Sequence, residues 1–225
     1  MSRKIYLDLD GVACDMIPAA VRRLGLPPTF RWPAGVWDVT EATGVPRDEF
    51  YARIADHAFW ADEIQPTRAA RDIFNAAAAL VGLANIRILT CPTSSPFSAS
   101  GKLAWVTRHF PELRQHQVML ACNKAEVAGP GRVLLDDQPE NVRDWRLAGG
   151  DAILVPAVWN PRGKEDPLAA VTDLRRLFTC GAPARACPAA VSFTIGPAGV
   201  VTLTDAYGSE LRTFAGGSME FREGA

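Results

Sequence analysis

Short apolar runs alternate with longer stretches of helical spacing over most of the chain. The runs predict strands over residues 4–9, 85–89, 118–121, 132–135 and 152–155. In the stretches between them apolar residues recur every three or four positions. These stretches predict helices over residues 16–24, 46–60, 66–80, 102–110, 139–148 and 166–178. Strands that alternate with helices form a parallel sheet covered on both faces, so the sequence predicts an α/β fold.

The C-terminal part follows a different pattern. Residues 191–195, 200–204 and 211–214 alternate polar and apolar side chains and are separated by turn residues. This pattern predicts an antiparallel hairpin or three-stranded meander, with Pro183 and Pro188 in the link before it. Three strands alone are only marginally stable. We therefore expect this piece to extend the sheet of the core or to pair with a second copy in a homodimer.

Residues 26–46 are rich in proline and glycine and read as a loop-rich insertion after the first strand. The predicted organisation is an α/β core over residues 1–14 and 66–180, an inserted segment over 15–65, and a C-terminal appendage over 185–225. The boundaries follow the change from one hydrophobic pattern to the next.

Charge and composition exclude several classes of protein. The chain has 24 Lys and Arg against 25 Asp and Glu, so no basic surplus exists to bind a nucleic-acid polymer or an anionic membrane surface. No apolar run is long enough for a membrane span. The N-terminus enters a strand directly, without the apolar stretch of a signal peptide, which predicts a cytoplasmic protein.

The five cysteines have irregular spacing and read as unpaired thiols, with Cys180 and Cys187 a pair only in an oxidising setting.

Polar residues follow four of the predicted parallel strands, at the edge where open α/β sheets bind ligands. They are Asp8 and Asp10, Thr90, Lys124, and Asp136 with Asp137. Carboxylates next to apolar strands are costly to bury unless a cation offsets their charge. If the two acidic pairs are adjacent in the sheet, their oxygens suit Mg²⁺. Thr90 and Lys124 would add a hydroxyl and an ammonium group for a phosphoryl oxygen.

Each of these residues also has a plainer interpretation. Asp8 and Asp10 could form the solvated end of an edge strand, Thr90 a turn cap, and Lys124 a surface charge. The order of all four motifs favours the functional interpretation. The segment from Ser98 to Lys102 ends in Gly-Lys but lacks the other residues of a phosphate-binding loop, so Lys102 reads as the start of a helix.

Taken together, these motifs resemble those of the haloacid dehalogenase (HAD) superfamily of phosphotransferases. The matching residues are Asp8-Leu-Asp10-Gly11-Val12, Thr90, Lys124 and Asp136-Asp137. The chain is more closely similar to the 5′(3′)-deoxyribonucleotidases over residues 4–160. That similarity rests on Lys102-Leu-Ala-Trp105-Val with His109-Phe110, on Leu134 to Asp137 followed by Pro139 and Asn141, and on Trp145 and Gly149-Gly150.

The resemblance implies an HAD-like Rossmannoid sheet and a phosphatase that uses Mg²⁺. Asp8 would attack phosphorus and carry an aspartyl-phosphate, and Asp10 would act as general acid and then as general base. Thr90 and Lys124 would hold the phosphoryl group. Asp8, the Asp10 backbone carbonyl, Asp136 and Asp137 would bind the metal.

The resemblance also implies that residues 15–65 form a small helical cap whose aromatic side chains face the substrate. Phe59, Trp60 and Trp37 are the candidates to stack a base, although each could instead belong to the core of the cap. No basic residue closely follows Thr90, and Cys122-Asn123 stand where the nucleotidases often carry an arginine just before the motif lysine. The expected substrate is a nucleoside monophosphate. The alternatives are another small phosphorylated metabolite or a non-catalytic binding protein of this fold.

Overall fold

The computed structural model describes residues 3–179 and three strand segments, 192–195, 201–204 and 210–214. Contacts divide the chain into two compact units, with the boundary between residues 184 and 185. No helix within residues 3–179 combines the length and apolar character needed to cross a bilayer.

The first unit contains a five-stranded parallel sheet and a two-stranded ribbon. In chain order the strands are β1 (Lys4–Leu7), β2 (Cys14–Asp15), β3 (Gln65–Pro66), β4 (Ile86–Thr90), β5 (Val118–Leu120), β6 (Arg132–Asp136) and β7 (Asp151–Leu154). The parallel sheet has the order β5-β4-β1-β6-β7, and β2 pairs antiparallel with β3. All five strands predicted for the sheet are present, and the first ends at Leu7 instead of residue 9.

Both faces of the sheet are buried, as the apolar runs predict. Successive residues of a strand point to opposite faces. Ile5 and Leu7 of β1 accordingly enter the larger core cluster, while Tyr6 between them enters the smaller one, where its ring meets Trp145 at 5.1 Å.

Seven α-helices occur within residues 3–179. They are α1 (Met16–Arg23), α2 (Val39–Thr43), α3 (Arg47–Arg53), α4 (Ala70–Val81), α5 (Pro96–His109), α6 (Pro139–Leu147) and α7 (Ala169–Thr179). A single-turn π-helix covers Phe59–Glu63, and a short 3₁₀ turn covers Lys124–Val127. The fold is therefore α/β, as predicted.

Three helix boundaries lie four or more residues from the prediction. Helix α5 begins at Pro96 and not at residue 102, because the Ser95 side chain accepts a hydrogen bond from the Phe97 amide and proline is favourable in the first turn. The helix predicted over 46–60 ends at Arg53, and a separate π-helix follows. Helix α4 starts at Ala70, because Gln65–Pro66 instead pairs with β2.

The segment between β2 and β3 contains α1, α2, α3 and the π-helix. The two-residue strands β2 and β3 bring its ends together. Its buried residues Phe50, Ile54 and Trp60 belong to the same core cluster as Trp105 of α5. The segment thus shares its apolar interior with the part of the unit that carries the parallel sheet.

The second unit contains β8 (Ser192–Ile195), β9 (Val201–Thr204) and β10 (Glu210–Phe214). They form an antiparallel sheet in the order β10-β9-β8, which confirms the predicted meander. Pro183 and Pro188 of the predicted link lie outside the described residues, as do Cys180 and Cys187. The homodimer contact stays a prediction.

Candidate active site

The sheet order brings the sequence motifs to one edge. Strands β4, β1 and β6 are neighbours, and they end immediately at or before Thr90, Asp8 and Asp136 respectively. Lys124 begins the 3₁₀ turn that follows β5, at the same edge. Because the carboxyl ends of parallel strands lie together, motifs separated by more than 120 residues meet in one place.

Lys124 joins the first and last motifs. Its Nζ lies 2.7 Å from Asp8 Oδ1 and 2.6 Å from Asp136 Oδ2, and its side chain is only 4% exposed. Burial lowers the pKa of Lys124, but the two carboxylates outweigh burial and hold it above its ordinary value. The lysine is therefore a buried permanent cation between two carboxylates.

Asp8, Asp136 and Asp137 form an acidic cluster whose ligand oxygens all lie within 4.8 Å of one another. Burial raises the pKa of Asp8 to about 7 and that of Asp137 well above its ordinary value. Asp137 Oδ2 accepts a hydrogen bond from Trp159 Nε1 at 2.6 Å, whereas its buried Oδ1 has no partner among the described residues.

The contacts of Asp136 fix the orientation of the cluster. Its Oδ1 accepts hydrogen bonds from the Gln138 amide at 2.9 Å and from Asn141 Nδ2 at 3.1 Å. Mg²⁺ prefers oxygen ligands such as carboxylates, and Asp137 Oδ1 is a buried carboxylate oxygen that has no other partner among the described residues. The residues present therefore fit a divalent cation.

Asp10 has a different environment from Asp8. Its side chain is 26% exposed and lines the cavity described below. Its Oδ2 accepts a hydrogen bond from Lys102 Nζ at 2.5 Å, and its Oδ1 lies 3.4 Å from the Cys14 thiol, which donates to it. The Asp10 carboxylate lies outside the acidic cluster that could hold a metal.

Thr90 is brought to this edge but does not line the cavity. Its side chain is fully buried, and its Oγ1 accepts a hydrogen bond from Lys102 Nζ at 3.0 Å. Thr93 and Ser94, which follow it, line the cavity instead.

A cavity of about 350 Å³ opens above these groups. Asp8, Asp10 and Lys124 form its floor. Its wall includes Met16, Trp37, Tyr51, Trp60, Cys91 and Cys122. One carboxylate of the acidic cluster, the buried lysine and the separate Asp10 carboxylate thus face a pocket with an aromatic wall.

The three aromatic residues predicted to bind substrate have different positions. Trp37 is 49% exposed, lines the cavity, and meets the Trp159 ring at 5.7 Å. Trp60 also lines it, although its side chain is buried and its Nε1 donates to the Ile54 carbonyl at 2.7 Å. Phe59 is fully buried in the core against Trp60 and is not part of the cavity wall. Tyr51, which the sequence did not single out, lines the cavity.

A disulfide joins Cys91 and Cys122, so the expectation of unpaired thiols is wrong for these two residues. The pairing follows from the sheet, because Thr90 of β4 lies beside Leu120 of β5 and the two cysteines follow these residues. Their Cα atoms are 4.4 Å apart. Cys14 is a free buried thiol, as expected. The pair could have been predicted from the fact that each cysteine follows a strand, provided that the two strands were known to be neighbours. The sequence alone does not give the order of the strands in the sheet.

Lys102 is the main site residue that the sequence analysis missed. It lies in the interior of α5 with its Nζ inside the site, and not at a helix start. The signal was its place on the helix, because Ser98, Gly101, Lys102 and Trp105 share one face by their spacing. A lysine on the face that carries Trp105 is a buried cation, which needs a partner.

Comparisons with known proteins agree with this arrangement. A family model described as "5′ nucleotidase, deoxy (Pyrimidine), cytosolic type C protein" matches residues 2–162. No curated protein sequence matches the chain.

Similar solved structures include a haloacid dehalogenase-like family hydrolase from Xanthomonas campestris. That structure is 13% identical with a TM-score of 0.46, over 79% of this chain and 92% of that one. CbbY from Rhodobacter sphaeroides, in complex with phosphate, is 17% identical with a TM-score of 0.43, over 71% of this chain and 88% of that one.

The family match spans well over half of the chain and includes every motif residue at the edge of the sheet. The parallel sheet and the order of the four motifs are those expected of an HAD-like enzyme. The chain belongs to the family of cytosolic type C deoxy (pyrimidine) 5′ nucleotidases, and it is a phosphatase of the nucleotidase type.

Proposed function

We propose that the protein is a Mg²⁺-dependent phosphomonoesterase that works through an aspartyl-phosphate on Asp8, with a deoxyribonucleoside monophosphate as substrate. The observation that carries this proposal is the position of Lys124, whose Nζ lies within 2.7 Å of Asp8 and Asp136 at the floor of the cavity. A carboxylate can attack a phosphate dianion only where its own charge is balanced.

The reaction has two steps. In the first, an Asp8 carboxylate oxygen bonds to phosphorus, the bond from phosphorus to the ester oxygen breaks, and Asp10 gives its proton to the leaving alkoxide. In the second, water attacks phosphorus, Asp10 takes a proton from it, and the bond to Asp8 breaks to release inorganic phosphate. Lys124 offsets the charge of the Asp8 carboxylate before the attack and that of the adjacent phosphoryl group while the aspartyl-phosphate exists.

Asp8, Asp136 and Asp137 would hold Mg²⁺, together with the backbone carbonyl of Asp10. When bound, the ion supplies positive charge beside the phosphoryl oxygens. The unpaired Asp137 Oδ1 supports this assignment, because a buried carboxylate oxygen without a partner is unfavourable in the absence of a cation.

The cavity wall supports a nucleoside monophosphate as substrate. Trp37, Tyr51 and Trp60 offer aromatic surface next to the charged floor. Among the described residues that line the cavity, Lys124 is the one cation, and two carboxylates already share it. One phosphoryl group is therefore a better match than a diphosphate or triphosphate.

A second candidate is a phosphatase for another small phosphorylated metabolite. The segment Cys122-Asn123 supports it, because two uncharged residues stand where the nucleotidases often carry an arginine. The cavity then has less positive charge for a nucleotide phosphate. The chemistry at the floor would be the same.

The first test is inorganic phosphate release, with Mg²⁺ and with EDTA. The substrates are deoxyribonucleoside and ribonucleoside 5′- and 3′-monophosphates, sugar phosphates and an aryl phosphate, and Asp8→Asn is the control. We expect Mg²⁺-dependent release from a deoxynucleotide that Asp8→Asn abolishes. Release from sugar phosphates alone would support the second candidate. No release from folded, metal-loaded protein would contradict both and favour the binding protein.

A second test measures the metal without activity. Mg²⁺ should raise the melting temperature of the protein more at pH 8 than at pH 5.5, since the cation binds ionised carboxylates and the pKa of Asp8 is about 7. Asp137→Asn should reduce this shift. A shift that does not change with pH would contradict the assignment.

A further inference from the structure

Lys102 lies beneath the cavity and its ammonium group uses all of its donors. Nζ donates to Asp10 Oδ2 at 2.5 Å, to Thr90 Oγ1 at 3.0 Å and to the Cys91 carbonyl at 2.6 Å. An ammonium group has three N–H donors, and each finds an acceptor here. The side chain is 1% exposed, so these bonds are shielded from water.

The two buried lysines of the site serve different carboxylates. Lys124 pairs with Asp8 and Asp136, whereas Lys102 pairs with Asp10. The residue proposed as nucleophile and the residue proposed as acid and base thus each have a separate cation. Removing Lys102 would change the surroundings of Asp10 and leave those of Asp8 in place.

The depth of Lys102 depends on close packing between α5 and the π-helix. A Cβ at Gly101 would lie 2.5 Å from the Trp60 Cβ and 3.0 Å from the His57 carbonyl oxygen. The ring centroid of Trp60 lies 4.9 Å from Lys102 Nζ. The helix therefore approaches the inserted segment closely, and from this position the Lys102 side chain reaches Asp10.

We infer that Lys102 is the positioning residue for Asp10 in the proposed phosphatase reaction. Lys102 is anchored on the Thr90 hydroxyl and the Cys91 carbonyl and donates to Asp10 Oδ2, which fixes the carboxylate. Oδ1 accepts one hydrogen bond from the Cys14 thiol at 3.4 Å and keeps a second lone pair for proton exchange with the leaving oxygen. In the first step Oδ1 releases a proton as the ester bond breaks, and in the second step it takes one from water. This inference rests on the proposed function.

The leaving group provides the test. A nucleoside monophosphate must release an alkoxide, which needs a proton from Asp10, whereas a nitrophenyl phosphate releases a stable phenolate that needs little help. We expect Lys102→Met to lower kcat/KM for the nucleotide by roughly 10²-fold or more, the usual share of general acid catalysis. The fall in kcat/KM for the aryl phosphate should be much smaller. Lys164→Met, at an exposed lysine, is the matched control, and its kcat/KM should equal that of the wild type for both substrates.

If Lys102 is merely structural, its replacement should lower kcat/KM for both substrates by the same factor. That result, in a variant that is still active, would overturn the inference and leave the proposed function in place. A wild-type protein that turns over neither substrate would overturn the proposed function and the inference with it. If Lys102→Met does not fold, Lys102→Gln keeps an N–H donor for Asp10 and is compared with the wild type in the same way. Lys102→Arg, which keeps the charge, should recover part of the lost nucleotide activity.

Discussion

The floor and the rim of the cavity are built in different ways. At the floor, the buried Lys124 pairs with the buried Asp8 and with the neighbouring buried Asp136, and the places of these residues follow from the ends of β1 and β6 and from the turn after β5. At the rim, Trp37 and Cys122 are exposed and belong to loops. The sheet therefore fixes the groups proposed to perform the reaction, whereas loops shape the part that contacts the rest of the substrate.

The two regions should consequently respond differently to change. A substitution at the floor removes a charge that another buried charge needs, so we expect large effects on catalysis or folding. A substitution at the rim removes a contact that water can replace. We expect it to change affinity more than turnover.

The largest expected effect is at the floor. Asp8→Asn removes the proposed nucleophile with little change in shape, and should lower kcat by roughly 10³-fold or more. Burial raises the pKa of Asp8, so its ionised form is unfavourable in the metal-free protein, and the variant should not melt earlier than the wild type without Mg²⁺. Activity assays and thermal melting check both expectations. Substantial turnover by folded Asp8→Asn would exclude Asp8 as the nucleophile.

Lys124→Met should be the most damaging change for stability. It leaves Asp8 and Asp136 facing each other without the ammonium between them. Removing one partner of a buried ion pair costs about 3–5 kcal/mol in the free energy of unfolding. The cost should shrink at low pH, where Asp8, whose pKa burial raises, holds a proton in the folded variant, and grow as the pH rises. Urea titrations at pH 5 and pH 8 measure it, and an equal cost at both values would contradict this account.

The floor could be predicted from the sequence because its residues follow apolar strands directly. A polar residue at a strand end is visible in a hydrophobic pattern, and parallel strands then bring such residues together. The family resemblance assigned each of them a role before any geometry was known. The fold class followed from the same alternation of strands and helices.

The rest of the site depends on contacts that a linear pattern does not contain. Predicting the disulfide requires knowing that β4 and β5 are neighbours in the sheet, which the order of the strands along the chain does not specify. Lys102 was hidden because the predicted helix began at that residue, which concealed its place on the buried face of a longer helix. Phe59 and Trp60 are adjacent in sequence, yet only Trp60 meets the cavity, since the direction of each ring depends on the packing of the π-helix.

The disulfide tests whether the rim is separable from the floor. Reduction with dithiothreitol should lower the free energy of unfolding by roughly 4 kcal/mol, because the bond closes a loop of sequence separation 31. It should raise KM while leaving kcat nearly unchanged, since Cys91 and Cys122 line the cavity, and the group of Cys91 that accepts from Lys102 is its backbone carbonyl, which reduction leaves in place. Chemical denaturation and steady-state kinetics, each with and without reductant, measure these effects.

The matched control for reduction is the double variant Cys91→Ser with Cys122→Ser. It should resemble the reduced protein and should no longer respond to dithiothreitol. Cys14 stays in both proteins, and burial raises the pKa of its thiol, so it should not contribute to the response. A large fall in kcat on reduction would mean that the rim also positions the groups at the floor.

The smallest expected effect is at the exposed edge of the rim. Trp37→Ala removes a half-exposed indole from the cavity wall, and stacking on a base is worth about 1–3 kcal/mol. KM for a nucleoside monophosphate should rise about tenfold, while KM for a sugar phosphate should stay the same, because a sugar offers no ring to stack. Phe97→Ala is the control, since Phe97 is 56% exposed and does not line the cavity. An equal rise for both substrates would show that Trp37 shapes the cavity as a whole and does not recognise a base.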